Sequence, residues 1–207
     1  GINSNAATLT LATSVSYSTQ PVSAGVCAGT DVTFTVAASG TGLAYNWQVS
    51  TDGGNTWNNV SPANTTNTLS LIAPTVSMSG NQYRCVATGN CNPAGVNSNI
   101  ATLTVNTSVN FTSQPSDIIG CIGSAAVFSV TATGSSITYQ WQVSVNGGPY
   151  VNLTNSGPYS GVNTNTLTIN PATGLSNRRY RLNASGAPCG GIITSDSALL
   201  DVKPSPV

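Results

Sequence analysis

The chain has no histidine and no glutamate. Its acids are five aspartates (Asp31, Asp52, Asp117, Asp196 and Asp201). Its bases are Arg84, Arg178, Arg179, Arg181 and Lys203, so only 5% of residues are charged and the net charge is zero. General acid–base chemistry wants a tunable side chain beside a partner; here the aspartates are scattered and no imidazole exists. No activated-nucleophile set is visible, and no glycine-rich phosphate loop opens a helix. A neutral chain carries no long-range field to steer nucleic acid or an anionic membrane towards it. No apolar run reaches the ~20 residues needed to cross a bilayer. The expectation is a protein without catalytic residues, cofactor or bound metal, with no nucleic-acid partner and no membrane insertion.

What the chain does have is internal repetition. Residues 1 to 21 and 95 to 115 are identical at 13 of 21 positions, an offset of 94 residues. The same offset carries Cys27 onto Cys121 and Trp47-Gln48-Val49-Ser50 onto Trp141-Gln142-Val143-Ser144. A period of this length is a whole small domain, too long for a solenoid repeat of roughly 20–50 residues. The first residues match the end of a repeat rather than its beginning. The reading is therefore residues 1–12 as the last strand of a preceding repeat, module one over 13–106 and module two over 107–203.

Within each module the pattern is that of strands. Hydrophobic residues make up 39% of the chain and alternate with Thr, Ser and Asn, as half-buried strands do. Val32, Phe34 and Val36 line one face of one run, and Tyr45, Trp47 and Val49 one face of the next. Gly53-Gly54 between Asp52 and Asn55 supplies a hairpin turn, because glycine tolerates positive φ. About seven short strands per module suit a two-layer sandwich. Trp47 and Trp141 on the third strand, and Tyr83 and Tyr180 at the start of the sixth, are expected core residues and narrow this to an all-β, tandem immunoglobulin-like sandwich.

The intersheet disulfide of antibody domains is missing: Cys85 faces Val36, and in module two Leu182 faces Val130. The remaining cysteines predict bridges elsewhere, Cys27 with Cys91 and Cys121 with Cys189, in an oxidising compartment. Each would close a loop of more than about 60 residues, worth about 4 kcal/mol in the chain-entropy model. Cys85 is then a buried free thiol acting as a small hydrophobe.

Cys27-Ala28-Gly29, the Tyr45–Ser50 segment with its WQVS, Gly53-Gly54 with Trp57, Thr66-Asn67-Thr68-Leu69 and Tyr83-Arg84-Cys85 together resemble the Ig-like repeats of very large secreted and cell-surface proteins of Bacteroidetes, among them adhesins and gliding-associated proteins. The resemblance covers both modules. It implies export, anchoring at the bacterial cell surface and cell adhesion, with neighbouring Ig-like repeats of the same chain as partners. Asp196-Ser197-Ala198 resembles an O-glycan acceptor motif of such bacteria, with Ser197 as the modified residue; an ordinary solvated serine is the competing reading.

Three functional readings follow. The first is a non-catalytic stalk: Asn106-Thr107-Ser108 leave little slack between modules, which predicts a stiff row. The second is a carbohydrate-binding accessory module of an extracellular enzyme. Trp57, Tyr150 and Tyr159 are its candidate glycan contacts, with Arg178, Arg179 and Arg181 for an anionic sugar; surface glycans or host and substratum polymers are its partners. Cross-strand packing of Trp57 and Tyr150 is the bland alternative. The third is a fibre subunit that donates Gly1 to Leu11 to an open sheet of another copy.

Overall fold

The computed structural model describes residues 8–204. The chain divides into two compact units, residues 1–105 and 106–207. Of the segment read as a preceding repeat's last strand, residues 1–7 lie outside the described residues. Residues 8–12 form no strand, and Leu9 and Leu11 are exposed.

Module one holds strands β1 (Ser16–Thr19), β2 (Ala24–Cys27), β3 (Val32–Thr35), β4 (Ala37–Ser39), β5 (Ala44–Ser50), β6 (Asn58–Asn59), β7 (Thr68–Leu71), β8 (Gln82–Gly89), β9 (Asn92–Asn97) and β10 (Ala101–Asn106). One layer has the order β2-β10-β8-β5-β6, with β9 also on β8; the other is made of the pairs β1-β4 and β3-β7. Module two repeats the plan with β11 (Asn110–Ser113), β12 (Ile118–Cys121), β13 (Ala126–Ser129), β14 (Thr131–Thr133), β15 (Ile137–Val145), β16 (Val151–Asn152), β17 (Tyr159–Ser160), β18 (Thr166–Ile169), β19 (Arg178–Gly186), β20 (Ile193–Thr194) and β21 (Ala198–Lys203). Its main layer is β12-β21-β19-β15-β16 with β20 on β19. The short strand β17 extends the opposite layer through β18.

The strand count exceeds seven because long strands are broken. Val36 interrupts β3 and β4, and its amide turns to Asn67 O at 2.9 Å. The last strand breaks between β9 and β10, where buried Ser98 repairs the ladder. Its Oγ accepts the Cys85 amide at 2.9 Å, and its own amide donates to Cys85 O at 2.8 Å. Ser195 does the same for Leu182 at 2.8 Å in each direction. A buried ladder group left unpaired is costly, so a serine at each break keeps the sandwich dry without a free amide.

Each module has its own core. Phe34, Val36, Trp47, Leu69, Tyr83, Cys85 and Leu103 pack together in the first; Phe128, Val130, Trp141, Leu167, Ile169, Tyr180 and Leu182 in the second. The expected core residues Trp47, Trp141, Tyr83 and Tyr180 are all buried. Both indoles have a partner: Trp47 Nε1 donates to Thr66 O and Trp141 Nε1 to Thr164 O, each at 3.0 Å. The Thr-Asn-Thr-Leu motif shapes that acceptor. Thr66 Oγ1 donates to Thr68 O at 2.7 Å and Thr164 Oγ1 to Thr166 O at 2.8 Å, tightening the turn whose carbonyl meets the indole.

Candidate functional site

The outer face of the five-strand layer carries the same constellation in both modules. Strand alternation places Gln48 and Arg84 opposite each other, and the Gly53-Gly54 turn brings Trp57 back over them. The Arg84 guanidinium sits 4.2 Å from the Trp57 ring centroid. Its Nε donates to Gln48 Oε1 at 2.9 Å, and the Trp57 indole donates to Gly54 O at 3.1 Å. In module two Arg181 lies 3.8 Å over the Tyr150 ring and donates to Gln142 Oε1 at 2.8 Å. A guanidinium on an aromatic face contributes about 0.5–1 kcal/mol at an exposed site. It also occupies one face of each ring expected to meet a sugar. Trp57 and Tyr150 are half-buried.

Tyr159, the third candidate glycan contact, is half-buried in module two. It packs against the core at a ring-centroid distance of 6.2 Å from Tyr180, and Arg178 Nη1 donates to its hydroxyl at 3.3 Å. The apolar ring finds the sandwich interior as β17 folds onto β18. The three arginines do not gather into one basic site. Successive strand residues point to opposite faces of the sheet, so Arg178 turns to Tyr159 and Arg181 to Tyr150, with Arg179 exposed.

Module two also carries a cleft of about 260 Å³ lined by Thr138, Gln140, Asn152, Asn183, Ser185 and Ile192, among others. Its walls combine amides and hydroxyls with the apolar side chains of Tyr139, Ala184 and Ile192, the last 69% exposed. The sequence reading missed this cleft, because its lining comes from four separate strands and loops with no local motif. Among the described residues no group of three or more His, Cys, Asp or Glu is placed to hold a metal ion. Asp117 instead accepts the Leu199 amide at 2.7 Å, and Asp31 the Ala73 amide at 2.8 Å. Ser197 is half-buried between β20 and β21.

The cysteine assignments need correction. Cys91 and Cys121 are free and exposed. Cys27 and Cys189 are disulfide-bonded, so neither Cys27–Cys91 nor Cys121–Cys189 forms. The reason is topological. β12 runs parallel to β21, bringing Cys121 beside Lys203, at the pole where β19 begins opposite Leu200. Cys189 follows the other end of β19, at Gly186. Eight strand steps at ~3.3 Å put roughly 25 Å between those poles, whereas a disulfide needs Cα atoms within about 7 Å. In module one Cys27 lies by the turn where the Gly29 amide meets Pro74 O, and Cys91 at the hairpin tip where the Asn90 amide meets Thr41 O. Cys85 is a buried free thiol as expected, and burial pushes its pKa up. Tyr17 donates to its carbonyl at 2.8 Å; module two places Phe111 and Leu182 at these positions.

One turn gives a pH-dependent feature. Asp52 accepts from Thr56 Oγ1 at 2.6 Å, Thr56 N at 2.9 Å and Ser50 Oγ at 2.7 Å. The Thr56 hydroxyl, then its amide, hold the Asp52 pKa down to about 2, against an ordinary value of 3.8. A lowered carboxylate pKa stabilises the folded form above the unfolded value and loses that contribution on acidification. The turn should therefore loosen between pH 3.8 and about 2. Carboxyl-carbon NMR titration checks this, with Thr56→Val expected to raise the Asp52 midpoint. In module two Asn146 stands at this place and should show no such transition.

Comparison with known proteins agrees with this architecture. A family described as a domain of unknown function (DUF8696) matches residues 16–107. Endoglucanase C of Cellulomonas fimi is 37% identical over 135 residues, which is 63% of this chain and 12% of that protein. The chain thus spans about an eighth of that relative. The I67–I69 fragment of titin superposes with a TM-score of 0.67 at 19% identity, covering 95% of this chain and 67% of that one. Immunoglobulin domains 1–5 of Sidekick-1 give a TM-score of 0.72 at 21% identity, covering 94% and 40%. Extracellular domains 3–5 of Drosophila OTK give 0.61 at 20% identity, covering 92% and 62%. At these identities the structural likeness shows the fold: tandem immunoglobulin-like domains.

Proposed function

We propose that the modules are non-catalytic structural and adhesive repeats, a stalk segment of a large secreted or surface protein of a Bacteroidetes-type bacterium. The observation that carries this reading is the duplication of a complete, separately cored sandwich. Each copy has its own indole anchor, its own repaired last strand and its own arginine–aromatic stack. Single-molecule pulling in reducing buffer tests the load-bearing role. Two separate unfolding steps are expected, each releasing about 90 residues or roughly 300 Å. Yielding as one continuous extension at minimal force would overturn it.

The second reading, a carbohydrate-binding accessory module of an extracellular enzyme, is favoured by the amide-lined cleft and by the endoglucanase relative. Sugar hydroxyls match closely spaced amides and hydroxyls, and an arginine-backed ring leaves its other face to stack. Incubation with insoluble cellulose, xylan and chitin distinguishes the readings. Saturable retention reduced at least tenfold by Trp57→Ala or Asn183→Ala supports it; equal recovery of wild type and variants in the unbound fraction sinks it.

A further inference from the structure

We infer that the cleft of module two binds N-acetylated sugars, and that module one does not. The inference rests on the carbohydrate-binding reading and names the ligand class of that cleft. Thr138, Gln140, Asn183 and Ser185 of the lining share one face of the sheet, since Gln140 pairs with Asn183 and Thr138 with Ser185. Asn152 joins them from β16, where it pairs with Gln142. No residue of the lining is charged, so an acidic sugar finds no ion-pair partner there.

The polarity of the amides is set from outside the lining. A guanidinium can only donate, so Gln142 must meet Arg181 Nε with its Oε1, at 2.8 Å. Its Nε2 is left to donate to Asn152 Oδ1 at 2.8 Å. Asn183 Oδ1 accepts the Thr194 hydroxyl, also at 2.8 Å. Both asparagines therefore keep Nδ2 in reserve, and neither Nδ2 has an acceptor among the described residues. Two donor-only groups select acceptor atoms. A sugar hydroxyl serves as donor or acceptor, whereas an acetamido carbonyl only accepts and has two lone pairs to do so. Its methyl needs an apolar neighbour, which the exposed Ile192 side chain offers. β16 and β19 flank β15, two strand spacings or about 10 Å apart, so a ligand that reaches both asparagines is at least a disaccharide.

Module one is the internal comparison. It keeps the relay, with Arg84 donating to Gln48 and Gln48 to Asn59. Strand register, however, places Val86 where module two has Asn183, and Gly95 where it has Ile192. One donor and the apolar contact are both missing.

The test is an NMR titration of the whole chain with chitotriose, and with cellotriose and fully deacetylated chitotriose as trimers without the acetamido group. Chitotriose should shift the Asn152 and Asn183 side-chain amides saturably and bind about tenfold or more tightly than either other trimer, the factor expected for one hydrogen bond. Asn183→Val and Ile192→Gly import module one's residues; each should weaken chitotriose by a similar factor with the melting temperature of module two little changed. Gln142→Glu keeps the Arg181 contact but offers Asn152 only acceptors, which turns Nδ2 to the glutamate and should also weaken binding. Equal binding of chitotriose and cellotriose at these residues would overturn the acetamido assignment and leave the carbohydrate reading standing. No saturable shift with any trimer would remove both.

Discussion

Trp141→Ala is expected to destabilise module two by about 3–5 kcal/mol, the range for truncating a buried aromatic. The indole is fully buried, tilted against Phe128 at 6.3 Å and hydrogen-bonded to Thr164 O. Its backbone also ties the edge of the layer, since Trp141 N donates to Val162 O at 2.8 Å and Leu153 N to Trp141 O at 2.9 Å. Small domains have roughly 5–15 kcal/mol to lose, so the variant should sit near its unfolding threshold. For a domain of this size the melting temperature should fall by roughly 12–40 °C. Calorimetry in reducing buffer should show module one's transition unmoved, because Trp47 belongs to a separate core. A joint shift of both transitions would show that the cores are coupled; a loss under about 1 kcal/mol would mean that the indole does not anchor the sandwich. Trp141→Phe separates volume from hydrogen bonding, because it leaves the Thr164 carbonyl without its donor at a cost of about 1–3 kcal/mol.

The tryptophans were legible because strand alternation and repetition both marked them. The same is true of Val36, Cys85, Val130 and Leu182, which meet in the cores as the missing intersheet bridge implied. Other features were hidden by how the chain signals them. β2 and β12 carry glycine and little alternation, and their pairing with the last strand is a long-range event. Ser98 and Ser195 look like ordinary polar residues before a strand; only the broken ladder shows that they take the place of a backbone partner. The Arg84–Trp57 stack joins residues 27 positions apart and depends on the turn at Gly53-Gly54.

The cysteines were misassigned for a physical reason. Sequence shows that each module owns two at fixed places, which suggests that they serve each other. It does not show that β12 runs parallel to the last strand, and that one fact sends Cys121 to the pole opposite Cys189. Repetition identifies equivalent residues but says nothing of which pole each occupies. Polarity of strand pairing decides that, and it emerges only when both layers close.

Gly161→Ala carries the second large effect, and it tests the turn that receives the Trp141 indole. Gly161 has φ of 75°, a left-handed conformation that costs a side-chain-bearing residue about 1–2 kcal/mol. A Cβ there would also meet the Thr166 carbonyl oxygen at a separation real Cβ atoms do not reach, with Thr164 Oγ1 at 3.2 Å. That oxygen is backbone at the start of β18, so relief requires the strand itself to move. Gly161 O accepts the Thr164 amide and hydroxyl, each at 2.9 Å, and Thr164 O accepts the indole. A shift at residue 161 therefore propagates to the core through two hydrogen bonds. Gly147 supplies the control: it has the same φ of 75° but nothing within 4 Å of an added Cβ. Gly147→Ala should lose only the same backbone contribution of about 1–2 kcal/mol, and Gly161→Ala at least twice that, with altered tryptophan fluorescence from the disturbed indole. Equal losses in denaturant titrations of the two variants would show that β18 yields freely, and that the Thr164 turn does not hold Trp141 in place.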